Sequence, residues 1–281
     1  EENELDEKEA NDAELCSVLM KRRMTEKLAL QRHELDPGYI QCTMKKDLQR
    51  GMQLHDNIVN KGLLVEENNP VSLANSLIHM HARCGDLAKA QQIHEDMYVR
   101  NVVSWNALIS GFVQQGKVHE AFTFLLLMQD EGLSPDACTF SCILKACGHV
   151  EDVEKGKEIH SQIVKKGLLQ GNVVLGTALV DVYAKCGNLA EAQRLHANLC
   201  VRDVVSWNAL ISGYAKHGYG HDALNCFEQL QCEGLSPDAF TFTCILKACG
   251  STQELHKGET VHMGVITSGL MKENIFLGNA L

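Results

Sequence analysis

The stretch from Gly111 to Lys117 holds residue types that could bind a phosphate. It reads GFVQQGK and matches most of the GxxxxGK pattern of phosphate-binding loops. In such a loop, backbone N–H groups and the Lys hold the phosphates, and a Ser or Thr directly after the Lys binds Mg²⁺. Val118 stands where that hydroxyl is required, and the counterpart 102 residues later reads GYAKHGY. The sequence therefore argues against nucleotide binding here.

A second stretch, His149-Val-Glu151, resembles half of a zinc deaminase motif. In that motif the His binds zinc and the Glu moves protons, while a downstream PCxxC supplies the other ligands. The chain contains no PCxxC, and no cluster of carboxylates or Ser/His/Asp set stands out. His55, His160 and His262 share one position of a repeated pattern, which favours helix-face residues. We predict no catalytic residue, no metal site and no cofactor in this chain.

The cysteines follow a repeat and not a ligand pattern. The chain has 12 Cys and no CxxC. Three pairs are each 102 residues apart: Cys84 and Cys186, Cys142 and Cys244, and Cys147 and Cys249. Such residues are expected to be buried free thiols that act as small apolar side chains. A chain with many free thiols is typical of a reducing compartment.

The elements that carry these residues recur along the chain. VSWNALISG occurs at 103–111 and again at 205–213. EGLSPDACTFSCILKACG at 131–148 returns as EGLSPDAFTFTCILKACG at 233–250. Both phrases keep an offset of 102 residues, so no net insertion separates the copies. Self-similarity at a fixed period predicts a repeat architecture.

Each phrase has the pattern of a helix, a turn and a second helix. The first apolar stripe has helical spacing and consists of Trp105, Leu108, Ile109 and Phe112. After a break at Gly116–Lys117 the second stripe consists of Val118, Ala121, Phe122 and Leu125. Hairpins of this kind cannot bury both apolar faces alone, and stacking neighbours makes a continuous core. We predict an all-α solenoid without sheet, in which Trp105 and Trp207 occupy equivalent buried sites.

Composition and charge limit the function classes. The net charge is −10, which cuts against simple nucleic-acid binding, since that usually leaves a basic surface. Most of the excess lies in the first fifteen residues, which hold eight Glu or Asp and one Lys. A polyanion binder of this balance would have to concentrate residues such as Lys145, Lys165, Lys166 and Lys247 on one face. No run of 18 apolar residues occurs, so no membrane-spanning segment is predicted.

The repeat units resemble a known family. The 35-residue VVSWNALISG…EGLSPD unit, the 36-residue TFSCILKACG…GKEIHSQIVKKG unit and the 31-residue GTALVDVYAKCGNLAEAQ unit are similar to the P, L and S motifs of PLS-class pentatricopeptide repeat (PPR) proteins. The resemblance covers roughly residues 35–281. It implies an all-α superhelical α-solenoid of antiparallel helix-turn-helix PPR repeats of 35, 36 and 31 residues.

The resemblance divides the chain into a segment and an array. Residues 1–34 form an acidic, partly disordered segment, with helical spacing at 15–30 that suggests a degenerate helix. The array at 35–281 has these units: a degenerate L unit at 35–70, S at 71–101, P at 102–136, L at 137–172, S at 173–203, P at 204–238, L at 239–274 and a truncated S at 275–281. The chain starts without Met and stops inside a hairpin pattern, so we expect a fragment of a longer protein.

Repeats of this kind read single-stranded RNA at one base per repeat through two or three side chains. In the family the fifth and last residues of a unit form the reading pair. By matched position the pairs are Asn75 with Asn101, Asn106 with Asp136, Ser141 with Asn172, Thr177 with Asp203, Asn208 with Asp238, and Thr243 with Asn274. The second residue, as at Val103, Val174 and Val205, would flank the base by apolar contact. Each polar residue could instead cap a helix or form a turn, which Asn, Asp, Ser and Thr favour.

The resemblance implies a non-enzymatic recognition tract of a mitochondrial or chloroplast RNA-processing factor, chiefly one that directs C-to-U RNA editing. Its partners would be single-stranded organellar RNA and an editing deaminase or other editing factor supplied in trans, with neither DNA nor a membrane as a partner. The family's pairing rules imply that the units from 71 to 274 read pyrimidine, U, any base, G, U, any base, from the 5′ side. Two alternatives remain: a protein-binding scaffold of helical hairpins, and a degenerate tract that binds nothing tightly.

Overall fold

The computed structural model describes residues 71–252 and 255–267, together with positions 49, 52, 53 and 55–57. The helix expected at 15–30 lies outside these residues, as do most of the degenerate unit at 35–70 and the site residue Asn274. Within the described residues all regular structure is α-helical and no strand occurs. The all-α prediction is therefore confirmed. None of the described helices combines the length and apolarity that crossing a membrane requires.

The chain divides into two compact units, and the first is Glu1–Arg100. Among its described residues, α1 (Val71–Cys84) and α2 (Leu87–Glu95) pack together as a hairpin. Asp86 begins α2 by accepting a hydrogen bond from the backbone N–H of Lys89 at 3.1 Å. Such a cap satisfies one of the N–H groups that a helix start leaves unpaired.

The second compact unit, Asn101–Leu281, holds five further hairpins in its described part. Their helices are α3 (Val102–Gln114), α4 (Val118–Asp130), α5 (Ala137–Val150), α6 (Val153–Lys165), α7 (Val173–Lys185), α8 (Leu189–Ala197), α9 (Val204–Lys216), α10 (Gly220–Cys232), α11 (Ala239–Thr252) and α12 (Leu255–Thr267). We call the odd-numbered member of each hairpin its first helix and the even-numbered member its second helix.

Local sequence sets where these helices begin and end. Asp136, which follows Pro135, caps α5 in a reciprocal capping box with Thr139. The box pairs the side chain of each residue with the backbone N–H of the other, so two otherwise unpaired donors are satisfied. Gly116 and Gly132 end the helices of the α3–α4 hairpin with φ of 74° and 79°, a conformation in which a Cβ is unfavourable.

The hairpins of the second unit stack in chain order. The first helices pack against one another in succession, from α3 through α5, α7 and α9 to α11. Each second helix up to α10 packs against its own first helix and against the first helix of the next hairpin. This double contact buries the apolar faces of both helices, which is the arrangement of an α-solenoid. The first helices consequently form a continuous row.

Large apolar residues fill this stack at equivalent positions. Trp105 and Trp207 are each 2% exposed, which confirms their prediction as equivalent core residues. Their indole N–H groups donate to Glu131 at 3.1 Å and to Glu233 at 2.8 Å. The polar edge of each ring is thereby satisfied at the margin of the core.

The second stripe differs from its prediction at one residue. Phe124 is buried and packs edge-on against Phe112 with ring centroids 4.7 Å apart. Phe122, which the spacing assigns to the stripe, is only partly buried. The ammonium of Lys155 lies 4.4 Å from its ring centroid. Because α4 is apolar on more than one face, spacing alone did not separate the two phenylalanines.

Candidate functional site

The GxxxxGK stretch does not form a phosphate-binding loop. Gly111 lies inside α3, and its carbonyl accepts a hydrogen bond from the backbone N–H of Gln115 at 3.1 Å. Gln115, Gly116 and Lys117 form the turn, and Lys117 directly precedes α4. A phosphate cradle needs successive free N–H groups, and here most of them belong to a helix.

The HxE stretch also has an ordinary structural role. His149 lies in the last turn of α5, and Glu151 ends that helix with φ of 54°. The carboxylate of Glu151 pairs with Lys216 of α9 at 2.7 Å. Across the described residues, no group of three or more His, Cys, Asp or Glu side chains is arranged to hold a metal ion.

A polar cluster joins the α3–α4 hairpin to the helix that follows it. The Asn106 amide donates from Nδ2 to Oδ1 of Asp136 at 3.0 Å. The hydroxyl of Thr139 lies 2.6 Å from Oδ1 of Asn106 and 2.9 Å from Oδ1 of Asp136. The structure therefore brings together the two predicted site residues, Asn106 and Asp136, and adds a third residue that prediction did not include.

The same cluster occurs between α9 and α11. Nδ2 of Asn208 lies 3.1 Å from each carboxylate oxygen of Asp238. The hydroxyl of Thr241 donates to Oδ1 of Asn208 at 2.6 Å and contacts Oδ1 of Asp238 at 2.9 Å. Two copies 102 residues apart thus share one geometry.

Hydrogen bonds set the charge state of this site. Partial burial raises the pKa of Asp136, but hydrogen bonds from the Thr139 backbone, the Asn106 amide and the Thr139 hydroxyl outweigh it, and the net pKa lies below its ordinary value. Asp136 is accordingly an anion at neutral pH, and a carboxylate can only accept hydrogen bonds. Its side chain is exposed, whereas Asn106 is 9% exposed.

The predicted pairs at the other junctions are looser. Asp203 caps α9 by accepting from the Ser206 N–H at 2.8 Å, and Asn172 caps α7 by accepting from the Leu175 N–H at 3.1 Å. Within the described residues, no side-chain hydrogen bond joins Thr177 to Asp203 or Ser141 to Asn172. The hydroxyl oxygen of Thr177 is buried without a hydrogen-bond partner.

The remaining predicted site residues have separate local environments. In the first unit, Oδ1 of Asn75 is likewise buried and unpartnered in the described structure. Asn101 caps α3 in a capping box with Ser104. Thr243 donates to the carbonyl of Ala239 within its own helix at 2.8 Å. The capping alternative is thus realised at Asn101, Asp136, Asn172, Asp203 and Asp238.

Exposed apolar side chains recur beside these polar residues. The three predicted flanking residues Val103, Val174 and Val205 are 58%, 66% and 62% exposed, and Phe240 at the same helix position is 54% exposed. Single exposed apolar residues need no explanation. These four residues are the second residues of α3, α7, α9 and α11, and each lies about one helical turn before the fifth residue of its helix.

The basic residues are split between two rows of helices. Lys145 of α5 and Lys247 of α11 are exposed on first helices, one turn beyond Ser141 and Thr243. Lys165 and Lys166 lie instead at the end of the second helix α6, where Lys166 donates to Ser134 at 2.6 Å. The four lysines therefore do not form one patch, and only the first two adjoin the polar pairs.

Thr139 and Thr241 are the residues that sequence reasoning missed. A signal was present, because SPDACT and SPDAFT place Asp three residues before Thr, which is the spacing of a capping box. That spacing predicts the bond between Asp and Thr. It does not predict that the Thr hydroxyl also reaches an Asn about 33 residues earlier, which depends on how the hairpins stack.

The stacked hairpins and their interhelical polar pairs define an α-solenoid repeat protein. Sequence profiles of the PPR repeat family match residues 100–149 and 202–251, and the PPR repeat profile matches 73–102, 138–168 and 177–203. Together these matches span more than half of the chain. The chain belongs to the pentatricopeptide repeat family.

Similar proteins agree with that assignment. A putative pentatricopeptide repeat-containing protein of Arabidopsis thaliana is 36% identical over 230 residues, covering 81% of this chain and 33% of the relative. A chloroplastic pentatricopeptide repeat-containing protein of the same plant is 33% identical over 240 residues, covering 85% and 38%. A mitochondrial one is 35% identical over 240 residues, covering 78% and 25%. The chain thus spans well under half the length of these relatives.

A solved structure shares the fold. The crystal structure of the pentatricopeptide repeat protein PPR10 from maize superposes with a TM-score of 0.57 at 24% identity, covering 73% of this chain and 30% of that one. At this identity the likeness supports the arrangement of helical hairpins.

Proposed function

We propose that this chain binds single-stranded RNA along its row of first helices, with one hairpin facing one base. The observation that carries the proposal is the recurring pair of Asn and Asp side chains between successive hairpins, beside an exposed apolar residue. Helical repeat proteins that read RNA use two or three side chains per base. The pairs Asn106/Asp136 and Asn208/Asp238 supply a hydrogen-bond donor and an acceptor side by side.

Donor and acceptor matching gives these two pairs a base preference. The Asp carboxylate accepts from the ring N–H that U and G present at their pairing edge, and A and C lack that N–H. The second N–H of the Asn amide can donate to the neighbouring carbonyl oxygen of the base. We propose U at both pairs, G opposite Thr177/Asp203, a pyrimidine opposite Asn75/Asn101, and less dependable reading opposite Ser141/Asn172 and Thr243/Asn274.

Apolar and basic residues complete the proposed interface. Val103, Val174 and Val205 would flank the bases, since exposed apolar side chains lose water-accessible area when a base covers them. Lys145 and Lys247 would approach the phosphates, which dominate nucleic-acid affinity. Only a few lysines lie on these helices, so the salt dependence of binding should be modest for an RNA-binding protein.

We further propose a PLS-class recognition tract that works in a mitochondrion or a chloroplast. Two of the Arabidopsis relatives are named chloroplastic or mitochondrial. In this proposal the chain selects the site, and C-to-U editing is performed by a deaminase or other editing factor that is supplied from elsewhere. The division of residues 71–274 into units of 31, 35 and 36 residues is part of the same proposal.

The test exchanges one acceptor for a donor. Asp203→Asn should move the base preference opposite Thr177 from G towards A, because an amide can donate to the ring nitrogen of A. The capping role should survive, since Asn101 forms the same capping box at α3. Binding is measured at fixed salt with RNAs that differ only at that base.

A matched control separates charge from base reading. Asp152→Asn removes the same charge from the N-cap of the second helix α6, outside the row of first helices. It should leave the base preference unchanged. An absence of any G preference in the wild-type chain, or an equal response of both variants, would count against the proposed assignment.

A further inference from the structure

We propose that Thr139 and Thr241 are specificity-determining positioning residues, which make the pairs Asn106/Asp136 and Asn208/Asp238 reject C. The inference rests on the proposed function. Each threonine is the third residue of the helix that follows its pair, and each is 0% exposed. Neither side chain can touch RNA, so any effect on base choice must pass through the Asn and the Asp that each hydroxyl contacts.

Asp136 and the threonine hydroxyl together fix which way the Asn106 amide faces. Asp136 can only accept, so the Asn106 atom 3.0 Å from it must be the donor Nδ2. The amide oxygen then points to the Thr139 hydroxyl at 2.6 Å, which is the shortest contact of that hydroxyl. With the oxygen occupied inside the protein, the group of Asn106 left for a base is its second N–H.

That orientation matters for the choice between the two pyrimidines. An outward N–H beside a carboxylate is complementary to U, which offers a carbonyl oxygen next to a ring N–H. C offers an amino group next to an unprotonated ring nitrogen, so it would meet the carboxylate with an acceptor. Without the threonine hydroxyl, the buried amide oxygen loses its partner, and turning it outward would offer C the acceptor that its amino group needs.

Other junctions of the second unit show that this is not a general feature of capping. The Ser206 hydroxyl donates to the backbone carbonyl of Asp203 at 2.9 Å, and the hydroxyl of Thr177 stays unpartnered. At the α6–α7 junction the third helix residue is Leu175, which has no hydroxyl. Among the four junctions described in this unit, only those with threonine have a hydrogen bond from the third helix residue to the side chain of a fifth residue, which is Asn106 or Asn208.

The experiment removes the hydroxyl and keeps the shape. Thr139→Val and Thr139→Ser are compared with the wild-type chain on RNAs that carry U or C opposite Asn106/Asp136. The U-over-C ratio should fall from roughly tenfold, in the range expected of a base-edge contact, to less than about twofold in Thr139→Val. Thr139→Ser should restore it, because the hydroxyl returns.

A capping control isolates base reading from stability. Ser206→Ala breaks the equivalent backbone bond, from the Asp203 N–H to the side-chain hydroxyl at 3.1 Å, but its hydroxyl holds no fifth-residue side chain. It should lower stability about as much as Thr139→Val and leave base preference at every position unchanged. Helical circular dichroism verifies folding, and Thr241→Val, read opposite Asn208/Asp238, replaces Thr139→Val if that variant does not fold.

The outcomes are distinct. A wild-type chain with no U-over-C preference at either pair means that the proposed function fails there. A wild-type preference that survives Thr139→Val, or is lost equally in Ser206→Ala, overturns the role of threonine while the proposed function stands. A uniform loss of affinity for U and C RNAs would assign Thr139 a structural role only and would also overturn the inference.

Discussion

The hairpins α3–α4 and α7–α8 make equivalent contacts in the stack but fill their cores with different residues. The fourth residue of the first helix is Trp105 in α3 and Gly176 in α7. The second helix has 13 residues in α4 and 9 in α8. Leu199, which follows the short helix, occupies the space next to Gly176 that a larger side chain would need.

The two hairpins differ both in their packing and in their polar pairs. In the longer hairpin, Trp105 reaches the second helix's end at Glu131, and Asn106 is held by two neighbours. In the shorter one the core is closed by a leucine from the loop, and Thr177 has no hydrogen-bond partner in the described structure. Among the described residues, hairpins of one stack thus carry both hydrogen-bonded polar pairs and pairs whose members are not hydrogen-bonded to each other.

The largest expected effect comes from removing the tryptophan at the fourth position of α3 or of α9. Trp105→Ala or Trp207→Ala should lower the free energy of unfolding by about 3–5 kcal/mol, since a large buried ring leaves a cavity. Denaturant titration followed by circular dichroism measures the loss. Val103→Ala, on the exposed side of the same helix, should stay within about 0.5 kcal/mol. A loss below about 1 kcal/mol at both tryptophans would contradict the assigned core.

The shorter hairpin should be distinguished by its response to acid. His196 of α8 lies against Trp207, with ring centroids 4.2 Å apart, and burial lowers its pKa to about 4. The unfolded chain binds this proton near pH 6.5 and the folded chain only near pH 4. The contribution of neutral, buried His196 to the free energy of unfolding is therefore complete above pH 6.5 and is lost as the pH falls towards 4.

The variant His196→Gln isolates that contribution. At about 1.4 kcal/mol per pKa unit, the wild-type chain should lose roughly 3 kcal/mol more stability than the variant between pH 6.5 and 4. Burial also lowers the pKa of His81 to about 4 in the first unit, so the difference between the two proteins is the quantity to measure. Equal slopes of unfolding free energy against pH would refute the assignment to His196.

Two glycines can test how closely the first helices pack against one another in the row that both kinds of hairpin share. A Cβ on Gly213 of α9 would lie 2.6 Å from the Cβ of Ala184 in α7, whereas a Cβ on Gly250 of α11 meets nothing within 4 Å. Gly213→Ala should destabilise the protein by about 1–3 kcal/mol through overpacking. Gly250→Ala should stabilise it by about 0.5 kcal/mol through helix propensity. Thermal unfolding that shifts in the same direction for both variants would contradict the close packing of α7 and α9.

The smallest effect concerns the surface beside the polar pairs. A side-chain hydrogen bond with Cys142 lowers the pKa of the exposed Cys138 to about 7, while burial raises that of Cys147 to about 12. Iodoacetamide at neutral pH should modify Cys138 well before Cys147, as mass spectrometry can follow. Cys142→Ala should slow the modification of Cys138. Equal reaction rates of the two thiols would contradict the exposure of Cys138 and the burial of Cys147.

Cysteine burial illustrates what the sequence could and could not predict. None of the ten cysteines in the described residues is disulfide-bonded, but Cys147 and Cys249 are buried while Cys84, Cys142, Cys186 and Cys244 are only partly buried. Repeat spacing shows that these residues share helix positions. It does not show how much of each side chain the next hairpin covers, because that depends on stacking.

The helices were predictable for a simple reason, and the polar clusters were not. Apolar spacing, Gly at turns and Asp before α5 act within one hairpin, so the pattern around Trp105 predicts the fold directly. The bond from Thr139 to Asn106 joins residues of successive hairpins and needs the geometry of their contact. The packing of Leu199 next to Gly176, at the helix position where α3 has Trp105, was not predictable either. Leu199 lies beyond the end of α8, so the apolar spacing of that helix does not include it.

The proposed reading of a defined order of bases by the row of first helices can be tested by competition binding at fixed salt. The two competing RNAs have identical composition, one with the order pyrimidine, U, any base, G, U, any base and one scrambled. The ordered RNA should bind at least about tenfold more tightly, because several base contacts are satisfied together. Equal binding of both RNAs, or binding of neither, would contradict the proposed reading and favour a protein-binding scaffold.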